Sequence, residues 1–409
     1  MIEDIYYQYN PWWENHPQFE GIIERPNYAG EMERHREDKT VVILTGIRRV
    51  GKTTIMKLCI KDLIDKGTSP KHIFYVSLDD YALDKTSIID IVSDYRKLQR
   101  LGLDEKVYLF LDEVAYKDRF QQQLKNLYDT QNVKIHASSS SSSVLKDNRA
   151  FLTGRERVIE VFPLDFDEYL KFKHVTFKKS EPYLKESHFD DYLRVGGMPE
   201  YVLNGDRGYL TTLVDDILSK DIVAFHGVKN PHHIKDFFAL LMERAGKQIS
   251  INKMARILKI SPDTAGRYLE MFEKTYLVHL VPRGGKMNER LLSPKKVYAA
   301  DLGIRNLFTG FKDKGALFEN YVYLMIKLLD PRYVFEDKNE IDFYTNGGFL
   351  IEAKYGSEMS EGQKALFERF PAKEKILVRS VHDLEALKAA ITAQSRKRNR
   401  ETRIANRES

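Results

Sequence analysis

The sequence predicts an α/β protein, with a helix-covered parallel sheet in its first part and a second, mixed α/β region near its end. Three observations predict this. Short β-branched apolar runs alternate with helical stretches between residues 40 and 162, the pattern of a parallel sheet flanked by helices. A glycine-containing loop joins the first of these runs to the first helical stretch. Three more strand-like runs cluster between residues 332 and 353, behind one helical stretch and ahead of another.

Residues 1–38 are rich in Tyr, Trp, Pro and charge, and predict an irregular or helical lead-in. Strands are expected at 40–46, 73–78, 107–111, 133–137 and 158–162, with helices at 53–65, 86–100 and 120–129 between them. From residue 166 to about 244 the pattern is mostly helical, broken by the Gly196-Gly197-Met198-Pro199 turn. Residues 248–300 read as helices followed by short strands. A helix at 318–328 then precedes strands at 332–336, 340–344 and 349–353, another helix, a strand at 375–379 and a last helix. The expected boundaries are a lead-in at 1–38, a first α/β region at 39–165, a helical segment at 166–245, a helix-turn-helix region at 246–300, a second α/β domain at 301–390 and a basic tail at 391–409.

Composition excludes several classes. An apolar content of 42% and a charged content of 31% fit a globular chain. No apolar run reaches the roughly 18 residues that a membrane span needs, so no membrane partner is expected. Residues 1–19 lack a basic-then-apolar signal pattern, and Cys59 is the single cysteine, which rules out an intrachain disulfide or a cysteine zinc site. A cytoplasmic location is the expectation. The net charge is +5, but the tail from Arg396 to Ser409 carries +4 and leaves +1 for the rest. Bulk charge therefore does not mark the body as a nucleic-acid binder.

The first strand and helix frame Gly46-Ile47-Arg48-Arg49-Val50-Gly51-Lys52-Thr53, followed by Thr54, which fits G-x-x-x-x-G-K-[ST]. Glycines allow the tight turn that brings backbone N–H groups around phosphates, Lys52 reaches the β- and γ-phosphates, and the Thr53 hydroxyl ligates magnesium. The helix directs its N-terminal dipole at the anion. About 60 residues on, an apolar strand ends in Asp112 and Glu113. Asp112 is expected to hold magnesium through water and Glu113 to orient or deprotonate the attacking water. ATP and Mg2+ are the expected substrate and ion. Six serines, 138–143, follow the fourth strand, and Ser138 or Ser140 is a candidate for touching the γ-phosphate or the lytic water. Arg155, after Thr153-Gly154, is a candidate for reaching a γ-phosphate in its own or a neighbouring subunit, which makes a homo-oligomer an open expectation.

These residues resemble the bacterial and archaeal ATPases of the AAA+ superfamily that carry a C-terminal domain of unassigned function. The resemblance rests on the GIRRVGKTT loop, the FLDE strand, Gly154-Arg155 ahead of Phe162-Pro163-Leu164, and Gly196-Gly197-Met198-Pro199-Glu200. It extends to Lys296-Val297-Tyr298, Asp301-Leu302-Gly303 and Phe318-Glu319-Asn320. It implies a P-loop NTPase sheet of AAA+ type. Where that family has Thr-Gly-Ser after the fourth strand, this chain has Ser138-Ser139-Ser140.

Two later segments carry further expectations. Residues 251–258, a turn at Lys259-Ile260-Ser261 and residues 262–274 read as a helix-turn-helix, with Ser261 as cap and Pro262 at the first helical position. Strands at 276–282 and 295–299 complete a winged helix, and Thr264, Arg267 and Tyr268 would face a DNA groove. Downstream, Asp342 on one strand and Glu352-Ala353-Lys354 ending the next are joined by the Asn346-Gly347-Gly348 turn, with Glu319 on the preceding helix. This arrangement resembles the restriction-endonuclease-like fold, and within it the Holliday-junction-resolvase branch. The resemblance implies a metal held by Asp342, Glu352 and Glu319, with Lys354 positioning water for phosphodiester attack. Two functions stay open: an ATPase coupled to DNA binding or cleavage, and a nucleotide-switched regulatory ATPase that uses an inactive nuclease-like domain to bind a protein partner.

Overall fold

The computed structural model describes residues 2–14, 19–141, 154–178, 181–224, 228 and 230–392. Ser142, Ser143, Thr153 and the tail from Arg396 lie outside the described residues. The chain divides into two units, Met1–Phe162 with Lys274–Tyr276, and Pro163–Glu273 with Leu277–Ser409. Among the described residues, no helix is long and apolar enough to cross a membrane.

In the first unit, β1 (Val41–Thr45), β2 (Ile73–Ser77), β3 (Val107–Asp112), β4 (Val133–Ser139) and β5 (Glu156–Glu160) form one sheet in the order β2-β3-β4-β1-β5. All four pairings are parallel. Parallel strands buried on both faces must be apolar throughout, and β1 and β3 are buried at every position. One core cluster joins strand residues Val41, Ile43, Leu109 and Ile135 to Ile91, Val92 and Tyr95 of helix Ile88–Gln99 and to Phe120, Leu124 and Leu127 of helix Phe120–Thr130. Helix Lys52–Asp65 buries Ile55, Met56, Ile60 and Leu63. β5 begins two residues before the apolar run that predicted it, because pairing of Val41 with Glu156 sets its start.

The lead-in proves to be part of this unit. β2 is an edge strand, and its open peptide groups need partners. The Asn10 amide supplies them, donating to the Tyr75 carbonyl at 2.8 Å and accepting from the Tyr75 N–H at 2.7 Å. Trp12 and Trp13 donate their indole N–H groups to the Ile73 carbonyl at 3.3 and 3.0 Å.

From Pro163 onward the segments expected as separate domains form one compact unit. Motifs far apart in sequence interlock there. The buried Asp301 carboxylate accepts from the Gly197 N–H at 2.6 Å and caps helix Leu302–Thr309 through the Ile304 N–H at 2.9 Å. A Cβ at Gly197 would meet the Leu164 carbonyl oxygen at 2.2 Å, so only glycine fits that turn. Asn320, on helix Lys314–Ile326, pairs with both backbone groups of Ala299 at 2.8 and 2.9 Å.

The helices Ile251–Leu258 and Pro262–Lys274 have the expected bounds, and Ser261 caps the second through the Thr264 N–H at 3.1 Å. Two strands follow, β6 (Val278–Val281) and β7 (Lys296–Ala299), paired antiparallel. Then β8 (Arg332–Glu336), β9 (Asn339–Tyr344), β10 (Phe349–Ala353) and β11 (Glu374–Val378) form a sheet in the order β11-β10-β9-β8. β10 pairs antiparallel with β9 and parallel with β11.

Candidate functional site

The carboxyl ends of β1, β3 and β4 bring the predicted phosphate-binding residues together. Gly46 leaves β1 at φ 135°, and a Cβ there would lie 2.3 Å from the Val161 carbonyl oxygen, so the loop requires glycine. Gly51 stands at φ 103° immediately before helix Lys52–Asp65. Arg49 takes a left-handed φ of 61°, a conformation that costs a side-chain-bearing residue about 1–2 kcal/mol. Strain of this kind is sustained where the surroundings fix the loop for a task. Arg48 donates to the Tyr116 hydroxyl at 2.8 Å. Ile47 and Val50 are buried within the loop. Thr54 follows on the first turn of the helix.

Lys52 is 4% exposed and turns back into its own loop, donating to the Gly46 and Ile47 carbonyls at 3.0 and 3.2 Å. Its ammonium lies 3.8 Å from Glu113 Oε1. Asp112 accepts from the Thr53 hydroxyl at 2.5 Å and from the Tyr75 hydroxyl at 2.8 Å through one oxygen. Its other oxygen accepts from the Ser138 hydroxyl. Burial, reinforced by the Asp112 charge, pushes the Tyr75 phenol far above its ordinary range, so it stays a donor. Glu113 adopts a left-handed φ of 54°, its N–H donates to Ser138 Oγ at 2.9 Å, and its Oε2 accepts from both the N–H and the hydroxyl of Ser140 at 3.0 Å.

The serines thus grip the two acids and fix their orientation. Thr53 and the oriented Asp112 carboxylate are the hard oxygen donors that a partly hydrated magnesium ion takes. Sequence reasoning missed Tyr75 and Arg25. Buried Arg25 donates to the Val50 carbonyl at 3.1 Å and to the Phe162 carbonyl at 2.9 Å, bracing the phosphate loop against the exit of β5. An Arg-Pro pair in an irregular stretch gives no local signal of that reach.

Arg155 is a correction. It immediately precedes β5, and its carbonyl accepts from the Val41 N–H at 2.8 Å, so it stands at the amino ends of the strands. The loop leaves their carboxyl ends, about 15 Å away for a five-residue strand. Arg155 pairs with Asp129 at 3.0 and 3.2 Å and does not enter the site of its own chain.

In the second unit, Tyr268 is a second correction. It is buried with its ring edge-on to Phe237 at 6.1 Å and cannot face a groove. Thr264 is half-buried, with its hydroxyl 2.8 Å from Ser261 Oγ, and Arg267 points outward.

Glu319, Asp342, Glu352 and Lys354 do come together, but around a residue not foreseen. The Lys296 ammonium, 1% exposed, lies 2.6 Å from Glu319, 2.9 Å from Glu340 and 3.2 Å from Asp342. The register of Phe343 with Ile351 sets Glu352 beside Asp342, whose N–H donates to Glu352 Oε2 at 2.9 Å. Lys354 pairs with Glu352 at 2.7 Å. Burial, helped by the charge of Asp342, pushes Glu319 up to about 7 and Glu352 up to about 8. Burial opposes the charge on Lys296, yet Glu319, Tyr298, Asp342 and Glu340 outweigh it and hold the lysine protonated. The metal expected among Glu319, Asp342 and Glu352 does not fit this donor set, because an ammonium stands among the acids. Among the described residues, no group of three or more His, Cys, Asp or Glu side chains is disposed to hold a metal ion.

Comparison with known proteins bears on both units. Residues 38–170 match the AAA domain family. This region is similar to a P-loop ATPase domain of AAA type. Residues 186–315 match a family described as a domain of unknown function, DUF8612. An uncharacterized protein of Methanocaldococcus jannaschii is 29% identical over 347 residues, spanning 79% of this chain and 76% of the relative. One from Haemophilus influenzae is 25% identical over 341 residues, spanning 79% and 83%. Among solved structures, the RuvB Holliday junction branch migration motor of Thermotoga maritima is 17% identical, with a TM-score of 0.35 over 64% of this chain and 91% of that one. AMPPCP-bound DnaA from Aquifex aeolicus is 16% identical, with a TM-score of 0.29 over 63% and 91%. Scores of this size mark a loose likeness. The AAA match and the loop geometry carry the nucleotide-binding ATPase assignment.

Proposed function

We propose that the AAA domain hydrolyses ATP in the presence of magnesium, with Lys52, Thr53, Asp112 and Glu113 as its working residues. The observation that carries this reading is the convergence of those four side chains at the exits of β1 and β3, with Ser138 and Ser140 bonded to the two acids. Lys52 exchanges its loop carbonyls for the β- and γ-phosphate oxygens, and backbone N–H groups of residues 46–54 surround the phosphates. Thr53 and Asp112 would hold the magnesium ion, which when bound supplies positive charge to the phosphate oxygens. Glu113 takes the proton of the attacking water. Ser140 sets the direction of the Glu113 carboxylate, and Ser138 sets that of Asp112. Arg155 stands too far from its own loop to serve it, so any γ-phosphate it meets belongs to another copy of the chain.

Of the two readings of the C-terminal unit, the seating of Lys296 among the acids supports the second: a nucleotide-switched ATPase with a partner-binding module in place of a nuclease. DNA binding rests on the exposed Arg267 face of the helix-turn-helix, whose neighbours Asp263, Glu270 and Glu273 oppose phosphate contact.

The test is ATP turnover with and without magnesium and with several DNA forms, the DNA being run on a gel afterwards. Magnesium-dependent turnover with intact DNA supports this reading. Cleavage that disappears in Asp342→Ala would restore the nuclease, and failure to turn over ATP·Mg at millimolar concentration would remove the ATPase.

A further inference from the structure

We propose that Lys296 is the resident cation of the C-terminal acid cluster: its ammonium fills the place a divalent ion would need, so the wild-type unit holds no metal there. Removal of that ammonium should open a divalent-cation site. This inference does not depend on the ATPase reading.

The match between donor and acceptors is complete. A lysine ammonium has three N–H bonds. Lys296 meets three carboxylate oxygens, from Glu319, Glu340 and Asp342, at 2.6, 2.9 and 3.2 Å. The surrounding oxygens are also engaged. Glu319 Oε1 accepts from the Tyr298 hydroxyl at 2.7 Å, and Glu340 Oε2 accepts from the Gln248 amide at 2.7 Å. Asp342 Oδ2 accepts from the Ala353 N–H at 3.0 Å. Glu352 spends one oxygen on the Asp342 N–H and the other on Lys354.

The ammonium cannot withdraw cheaply. Lys296 belongs to β7, which pairs on one edge with β6, Val281 facing Lys296. On the other edge, the Gly246 N–H donates to Val297 at 2.7 Å, the Val297 N–H to Lys247 at 3.2 Å and the Ile249 N–H to Lys295 at 2.9 Å. The backbone is therefore held from both sides, and the side chain itself is 1% exposed, so moving the ammonium to solvent would abandon three carboxylate contacts. A magnesium or manganese ion needs oxygens at about 2.1 Å in near-octahedral array. It would have to share the same carboxylates with a positive charge already among them, in surroundings that screen poorly.

Without the ammonium, Glu319, Glu340, Asp342 and Glu352 face one remaining lysine, Lys354. Methionine has close to the length of the lysine stem and no charge, so Lys296→Met keeps the packing and vacates the cation's place.

The experiment titrates Mn2+ into nucleotide-free full-length protein and counts bound metal by electron paramagnetic resonance. Wild type and Asp342→Asn are expected to bind equally, with no Mn2+ dependent on Asp342. Lys296→Met is expected to gain one Mn2+ per chain, at least tenfold tighter than any wild-type binding, and to lose it in Lys296→Met with Asp342→Asn. A wild-type Mn2+ that Asp342→Asn removes would overturn the proposal. So would a folded Lys296→Met protein that binds no more metal than wild type. Should Lys296→Met fail to fold, Lys296→Gln replaces it, and the comparison of wild type with Asp342→Asn still decides whether the native cluster takes a metal.

Discussion

Two buried lysines among acids, one in each unit, behave as opposites. Lys52 donates to the carbonyls of its own glycine loop and approaches Glu113 only to 3.8 Å. Lys296 is held by three carboxylates within 3.2 Å. Carbonyl partners lose little when a triphosphate offers stronger, charge-assisted bonds. Carboxylate partners cannot be abandoned, because the more deeply buried of them, Glu319 and Asp342, would be left as uncompensated charges. The difference teaches that burial and nearby acids do not mark a lysine as functional. The charge of its partners decides whether it is poised or committed.

The largest effect that could break this contrast is on activity. Lys52→Ala should abolish ATP binding, measured with a fluorescent nucleotide, while Lys296→Ala leaves that binding within about twofold. Glu113→Gln should keep nucleotide affinity and lower kcat by roughly 10²–10⁴, the usual worth of a general base. Turnover at the wild-type rate would remove Glu113 from that role. Stability should run the other way. Lys296→Ala is expected to cost about 3–5 kcal/mol in urea unfolding, the effect of breaking a buried ion pair, whereas Lys52→Ala should cost about 1 kcal/mol. Equal costs would mean that the two lysines are committed alike.

A smaller effect tests the brace on the loop. Arg25→Gln should raise KM for ATP about tenfold with kcat changed less than threefold, since Arg25 holds the Val50 carbonyl and touches no reacting atom. A fall in kcat with KM unchanged would contradict a positioning role.

A further test concerns His136, a buried ionisable group that stays neutral where Lys296 stays charged. It stacks on Phe110 at 4.8 Å, neither ring nitrogen has a hydrogen-bond partner among the described residues, and burial drives it down to about 3. Below its ordinary value of 6.5 the unfolded chain gains a proton that the native imidazole refuses. Stability from this group is therefore present above pH 6.5 and lost as pH falls toward 3, with a slope of about 1.4 kcal/mol per pH unit. His136→Phe should flatten the unfolding profile by that slope, and an unchanged profile would show that the ring is not buried neutral.

The local order of both units was legible in the sequence. Strand, glycine loop and helix at 41–65, the acids at the end of β3, and the two helices 251–258 and 262–274 followed from periodicity, capping residues and glycine positions, which act within a few residues. Asp342 and Glu352 were legible as neighbours because a short turn joins their strands. Which strands and side chains meet across the fold was decided elsewhere. The order β2-β3-β4-β1-β5 sets Ser138 against Asp112, and the parallel pairing of β5 with β1 leaves Arg155 at the strand ends opposite the loop. Helix packing turns Tyr268 inward against Phe237, and the pairing of β7 delivers Lys296 into acids contributed by later segments. These outcomes depend on burial summed over distant segments, which no run of adjacent residues records, and so only the folded chain shows which of its lysines is able to move.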